Sequence, residues 1–200
     1  MKISKGLIAL IVIIVILLGL YGWVKSNYNA MVTAEETVNE KWSQVENVYQ
    51  RRLDLIPNLV ATVKGYAEHE QETFKAVTEA RAKAGGMVNI DANVLNDPTQ
   101  FARFQEVQSS LGSALQRLMV IQERYPELKA NQNFLALQSQ LEGTENRITV
   151  ERQRFNEVAR NFNVLIRKFP ANMLANMFGF EQKLYFTATE GADIAPKVEF

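Results

Sequence analysis

The only histidine of the chain, His69, lies among three carboxylates, Glu68, Glu70 and Glu72. Histidine and glutamate are the ligands of di-iron centres in helical bundles, which take a Glu-x-x-His motif from each of two helices and two further carboxylates. One histidine cannot supply two such motifs. The pattern therefore favours a solvated polar helix face, and we expect neither a metal nor another cofactor.

The sequence also lacks the parts that other chemistries need. It contains no cysteine, which excludes thiolate nucleophiles, thiolate metal ligands and disulfides. No phosphate-binding glycine loop or nucleophile elbow is present, and Gly85-Gly86 ends a predicted helix. The 22 acidic and 22 basic side chains balance, so no overall field attracts nucleic acid. We expect a non-enzymatic protein without a nucleic-acid partner, and a metal-dependent enzyme is the remote alternative.

Charged residues on otherwise apolar helix faces are the unusual chemical feature. Extending each apolar stripe by its own spacing places four of them there: Arg52, Glu70, Glu145 and Arg152. Their charges sum to zero, and a buried charge without a partner is strongly destabilising. We expect the four to pair in one interhelical polar layer or to extend their charged ends to the bundle edge. The alternative is a ligand-binding or proton-linked site.

An uninterrupted apolar stretch near the N-terminus predicts a transmembrane helix. Residues 6–24 contain no charge, and roughly 19 residues at about 1.5 Å each match the ~30 Å hydrocarbon thickness. Tyr21 and Trp23 at its end, followed by Lys25, are the expected interface anchors. Because no small-residue cleavage site follows Leu18, we expect a retained anchor rather than a cleaved signal peptide.

The distribution of lysines around the span predicts its orientation. Lys2, Lys5 and the terminal amine precede it, whereas only Lys25 follows closely. The positive-inside rule then places the N-terminus in the cytoplasm and the bulk of the chain outside it.

Beyond the span, apolar residues recur every three or four positions, as on the core-facing side of an α-helix. The first stripe contains Val38, Trp42, Val45 and Tyr49, and it resumes at Ile56. A first helix ending near Arg52 is followed by three more at about residues 57–84, 99–125 and 127–169. The last has near-heptad spacing, typical of a coiled coil, and we expect it to project past the others or to bend near Gly143.

Pro57 decides how these helices connect. It has no N–H to donate to residue 53, and it restricts Ile56, so the helix must kink or reverse there. Similar helix lengths favour reversal, although the apolar spacing continues nearly in phase, as in a kinked rod. We therefore expect an all-α fold, a single N-terminal transmembrane helix followed by a long antiparallel four-helix bundle. The expected domains are an anchor (1–25), the bundle (26–170) and an aromatic-rich tail (171–200).

The C-terminal part suggests two further contacts. The segment PANMLANMFGF is apolar enough to lie in a lipid interface, or else to fold back over the bundle. At the end, Val198 and Phe200 alternate around a polar residue beside the terminal carboxylate. A PDZ-type domain of an envelope protein captures such an end by strand addition. The alternatives are a disordered end or a strand packed on its own bundle.

Two blocks of the sequence resemble the LemA family of bacterial membrane-anchored helical proteins. The first contains WSQV, YQRR, DLIPNLV and VKGYAEHE, and the second runs from YPELKANQNFLALQSQLEGTENRI to RFNEVARNFN and FP. The resemblance covers most of the chain after Tyr28. It implies a four-helix bundle in a bacterial inner-membrane protein, and it implies no particular activity.

The leading functional hypothesis is a membrane-anchored interaction or scaffold protein of the bacterial envelope, with protein partners or self-assembly. A protein that associates with the membrane surface or shapes it is the alternative, because of the apolar segment after Pro170.

Overall fold

The longest element is one α-helix, α1, which occupies Lys5–Lys64. The computed structural model describes residues 5–87 and 92–187, and all regular elements in these ranges are helical. The others are α2 (Gln71–Gly85), α3 (Pro98–Val120), α4 (Pro126–Lys129), α5 (Gln132–Arg167) and α6 (Ala171–Phe178), with 3₁₀ turns at Ala92–Asn96 and Ile121–Arg124. The predicted all-α class with a long apolar N-terminal helix is confirmed.

The first part of α1 and its later part have different surroundings. The apolar first part is long enough to cross a membrane by length and composition, and its most apolar stretch has no buried residue. From Met31 onward, one face of the same helix is buried in the core, including Val38 and Trp42. The candidate membrane span and the core-forming stripe therefore belong to one continuous rod.

The expected reversal at Pro57 is wrong, because Pro57 lies inside α1. Proline leaves the carbonyl four residues earlier without its helical donor. That carbonyl belongs to Leu53, and it accepts a hydrogen bond of 3.0 Å from Nε of Arg81 on α2. A donor from a neighbouring helix thus replaces the missing N–H, and the apolar stripe continues in phase. The chain turns instead at residues 65–70, so α2 is shorter than the helix expected at 57–84.

The later helices also differ from the expected bounds. The helix expected at 99–125 gives way to a 3₁₀ turn after Val120. The one expected at 127–169 is interrupted after Lys129, because Asn131 caps α5 by accepting the N–H of Phe134 at 3.0 Å. Gly143 lies inside α5 without interrupting it.

Contacts along α1 define the directions of its neighbours. Trp42 and Arg52 contact Phe155 and Glu145. Just after α1, Tyr66 contacts Asn131, the residue that caps α5. As α1 proceeds, α5 is therefore contacted from its C-terminal towards its N-terminal part. Along α3 the order is the same as in α1, since Trp42 contacts Phe101 and Arg52 contacts Gln108.

The segment after α6 returns to the core. Gly179 ends α6 with a left-handed backbone, φ 77°, which glycine adopts without steric cost. The extended residues that follow are held by two asparagines of α5, each of which donates to a backbone carbonyl and accepts the N–H of the same residue. Asn163 holds Lys183 in this way, and Asn156 holds Phe186. The ring of Phe186 then packs among aromatic side chains of three helices: Trp42, Phe101, Phe104 and Phe155.

Candidate functional site

A polar groove of about 1140 Å³ lies between α3 and α5. Tyr49 and Arg52 of α1 line it from below, and hydroxyl, amide and charged side chains form much of its walls. Those on α3 include Arg103, Gln105, Glu106, Ser109 and Ser113, and those on α5 include Glu145, Thr149 and Arg152. The groove therefore offers many hydrogen-bonding groups beside apolar surface such as that of Ala102 and Ile148.

Arg52 joins three helices at the base of this groove. Its Nη1 donates to both carboxylate oxygens of Glu145 on α5, at 3.0 and 3.3 Å. Its Nη2 donates to the backbone carbonyl of Gln108 on α3, at 3.3 Å, and to the Oε1 of the same side chain. The guanidinium also lies 5.1 Å from the ring centre of Tyr49. Because the fork of an arginine fixes direction as well as distance, this contact sets the register of α1, α3 and α5.

Arg152 lines the same groove without an ion pair among the described residues. Its guanidinium lies 4.4 Å from the ring centre of Phe186, and its Nη2 donates weakly to Oε1 of Gln105 at 3.5 Å. A cation held over an aromatic face keeps its charge and most of its donors. Arg152 is therefore available to bind an acidic or carbonyl group in the groove.

Tyr49 is the buried titratable group beneath the groove. Burial raises the pKa of its phenol, Arg152 and Arg52 oppose that rise, and Glu145 adds to it. The phenol is therefore neutral at physiological pH and is not a base or nucleophile. The groove can bind through hydrogen bonds and charge, and its described side chains provide no nucleophile–base pair.

Glu70 has different partners from Arg52 and Glu145. It pairs with Nη2 of Arg124 at 2.9 Å and accepts from the hydroxyl of Tyr125 at 3.3 Å. These partners follow α3, so Glu70 ties the turn after α1 to the turn after α3. Of the four candidate residues, Arg52 and Glu145 thus form an ion pair, Arg152 lines the same groove, and Glu70 has other partners.

The remaining candidate residues fall into two groups. Tyr21, Trp23 and Lys25 are exposed on α1 where its apolar stretch ends, the position expected of membrane-interface anchors. Val198 and Phe200 lie outside the described residues, and their capture by a PDZ-type domain stays a prediction. His69 is exposed in the turn between α1 and α2, and residues 5–87 and 92–187 contain no group of three or more potential metal ligands.

Sequence reasoning missed several residues that shape this region. Gln108 is buried beside Arg52, and a polar residue on the apolar stripe of α3 was the available signal. The need for a donor such as Arg81 was predictable, since a proline inside a helix leaves one carbonyl without its helical N–H. Asn156 and Asn163 stand seven residues apart, each directly after a core phenylalanine, and nothing in that spacing indicates which segment they hold.

Comparison with known proteins places the chain in a family. The model of the LemA family matches residues 41–200. Magnetosome protein MamQ of Magnetospirillum gryphiswaldense is 28% identical over 189 residues, covering 86% of this chain and 70% of that protein. Magnetosome protein MamQ 2 of Paramagnetospirillum magneticum is 26% identical over 181 residues, covering 83% and 66%. Protein LemA of Metamycoplasma hominis is 23% identical over 162 residues, covering 81% and 69%.

The matched range contains both blocks on which the resemblance rests, from WSQV to RFNEVARNFN. It also contains the groove residues, the ion pair of Arg52 with Glu145, and the asparagines of α5. The match covers well over half of the chain, and this protein therefore belongs to the LemA family.

Proposed function

We propose that this protein is a membrane-anchored, non-enzymatic interaction protein that presents the groove between α3 and α5 to a protein partner. The observation that carries the proposal is the continuity of α1 from the candidate span into the core. Arg52 lies 28 residues beyond Val24 in the same helix, which is about 42 Å at 1.5 Å per residue. Because Tyr49 and Arg52 of this helix form the base of the groove, the groove stays at a fixed distance from the bilayer.

The proposed architecture is an antiparallel four-helix bundle made of the later part of α1 with α2, α3 and α5. The opposed order of contacts between α1 and α5, and the shared order between α1 and α3, support it. Two contacts support an α2 that runs antiparallel to α1 and α3. Glu70, just before α2, pairs with Arg124, which follows α3. Arg81, near the end of α2, donates to the carbonyl of Leu53 on α1. In this arrangement the groove is the side of the bundle between α3 and α5.

The chemistry of the groove favours an acidic or backbone-rich segment of a partner. Arg103 and Arg152 line it without ion pairs in the described part of the chain, against one such carboxylate, Glu106. Ser109, Ser113 and Thr149 add hydroxyl groups that donate or accept. An extended peptide or a helix with a carboxylate-bearing face satisfies both kinds of group.

The groove is tested by photo-crosslinking in native membranes. A photoreactive residue at Ser109, which lines the groove, is compared with one at Ser110, which is exposed but does not line it. We expect a discrete crosslinked protein from position 109 alone, lost when Arg152→Glu reverses the charge. Equal crosslinking from both positions, or none from position 109 in a correctly inserted chain, contradicts the proposal.

The proposed location is the bacterial inner membrane, single-pass, with the bundle outside the cytoplasm. The lysines before the apolar stretch support this orientation. A reporter that is active only outside the cytoplasm, fused after Phe200, should be active. An inactive reporter on an inserted chain contradicts the orientation and leaves the groove proposal intact.

A further inference from the structure

The short helix α6 has apolar side chains on both of its faces. Leu174 and Ala175 are buried against the bundle. On the other side, Met173 and Met177 are 64% and 65% exposed, and Phe169, just before the helix, is 82% exposed. Four large apolar side chains together, counting the half-exposed Phe178, form a patch of the kind that marks an interaction surface.

This patch lies at the end of the bundle from which the candidate span emerges. The ring of Phe178 is 4.8 Å from that of Tyr28 on α1, and Phe180 is 5.9 Å from the same ring. Tyr28 is four residues beyond Val24, where the apolar stretch ends, which is about 6 Å along the helix axis. A bilayer that contains the span therefore has its interface at the level of α6.

The charges near the patch fit a lipid surface. α6 itself carries none. One exposed anion, Glu181, follows Phe180. Three exposed cations outnumber it: Arg167 and Lys168 directly precede Phe169, and Lys25 lies three residues before Tyr28. None of them has an ion pair among the described residues. Lipid phosphates are the anions available at that level, while the methionines and Phe169 suit the boundary of the acyl chains.

We propose that Phe169 and the exposed face of α6 insert into the lipid interface as a second membrane contact beside the span. The inference rests on the proposed anchoring, because the bilayer supplies the partner. It goes beyond that anchoring, because two separate contacts prevent the bundle from rotating about α1 or tilting freely. The groove between α3 and α5 then faces one direction relative to the membrane.

The natural absence of cysteine allows a clean test with single spin labels on the full chain. Labels replace Met177 on the patch, Val120 at the end of α3, and Leu17 in the span. Val120 is the matched control, because it is 65% exposed, as Met177 is. The protein is placed in nanodiscs of phosphatidylcholine and phosphatidylglycerol, and relaxation by oxygen, which is enriched in lipid, is compared with relaxation by a water-soluble nickel chelate.

The expected result is that labels at 177 and 17 are relaxed more by oxygen, and the label at 120 more by nickel. A lipid-exposed label at 17 with a water-exposed label at 177 overturns the second contact and leaves the anchor standing. A water-exposed label at 17 overturns the anchoring itself. A label at 177 that neither reagent reaches indicates a protein partner or a second copy, and it also overturns the lipid contact.

A second variant tests the role of the same side chains without a label. Met173→Ser with Met177→Ser removes exposed apolar groups only, so the melting temperature in detergent should stay unchanged. In nanodiscs, the range of angles between the bundle axis and the membrane normal should widen in this double variant. The control Val120→Ser should leave that range unchanged. An unchanged spread in the double variant contradicts the proposal.

Discussion

Pro57 removes a backbone donor inside α1, seven residues before the helix ends, and Arg81 replaces it from α2. A hydrogen bond from a charged donor to a buried carbonyl contributes about 1.5–3 kcal/mol. We therefore expect Arg81→Met to lower the free energy of unfolding by that amount. In a Pro57→Ala background the alanine N–H can bond the carbonyl of Leu53, so the loss from Arg81→Met should shrink to below about 1 kcal/mol. Equal losses in both backgrounds, measured by urea unfolding, contradict the account.

The ion pair at the base of the groove is asymmetric. Arg52 is 4% exposed and Glu145 is 44% exposed, so water can replace the arginine around Glu145 but cannot replace the glutamate and glutamine around Arg52. Glu145→Gln should cost about 3 kcal/mol, because it leaves the charge of Arg52 buried without an anion. Arg52→Met should cost less, about 1 kcal/mol, because water solvates the carboxylate of Glu145 that it leaves behind.

The same site gives a coupling prediction. A double-mutant cycle should show coupling between Arg52 and Glu145, while Arg152→Gln and Glu145→Gln should add within about 0.5 kcal/mol, because they form no ion pair. Strong coupling of Arg152 with Glu145 contradicts the geometry.

Glu46 gives a prediction on pH. Burial raises its pKa above the ordinary value of 4.5, and the nearby side chain of Trp42 opposes the rise. The folded protein therefore favours the protonated carboxyl, and this stability is fully present below the unfolded-state pKa and is lost as pH rises through the raised folded-state pKa. Glu46→Gln should raise the melting temperature at neutral pH, with no gain in acid below pH 4.5.

The matched control for Glu46 is Glu106→Gln on an exposed position of α3, for which no gain is expected at either pH. A rise in melting temperature from Glu46→Gln that is as large in acid as at neutral pH would show that burial of the charge is not its cause.

At the scale of elements, periodicity predicted the core faces well and the connections less well. The stripe on α1 from Val38 onward is buried as expected, because burial of a helix face depends on local spacing. The path at Pro57 was wrong because the compensating donor, Arg81, comes from another helix. The break at Asn131 was missed because a four-residue helix ends there, and its capping asparagine lies inside a polar run.

The candidate site shows the same division. The pairing of Arg52 with Glu145 could be anticipated from charge on core faces, since a buried cation requires a partner. The neighbours of Arg152 could not be anticipated. Phe186 reaches Arg152 because the chain after α6 runs back along α5, where Asn156 and Asn163 hold it. Long-range contacts of this kind have no local period in the sequence.

At the scale of the whole molecule, one helix runs from the candidate membrane span into the core beside the groove, so under the proposed function it would fix the position of the groove relative to the membrane. A linker between span and bundle would let the groove move freely, whereas a helix that is itself part of the core does not. The lipid contact proposed for α6 would fix the rotation that the rod alone leaves free. Fixed height and fixed direction together suit a protein that orders partners along a membrane surface.

The distance between positions 25 and 64 tests the continuity of α1 most directly. Both lysines are exposed, one just after the candidate span and one at the C-terminal end of the helix, and spin labels there are specific because the chain has no cysteine. In nanodiscs, pulsed electron paramagnetic resonance should give one narrow distribution at about 58 Å, the length of roughly 39 residues of helix at 1.5 Å each. A maximum at about 38 Å, as for reversal at Pro57, or a broad distribution, as for a flexible joint, would contradict the account.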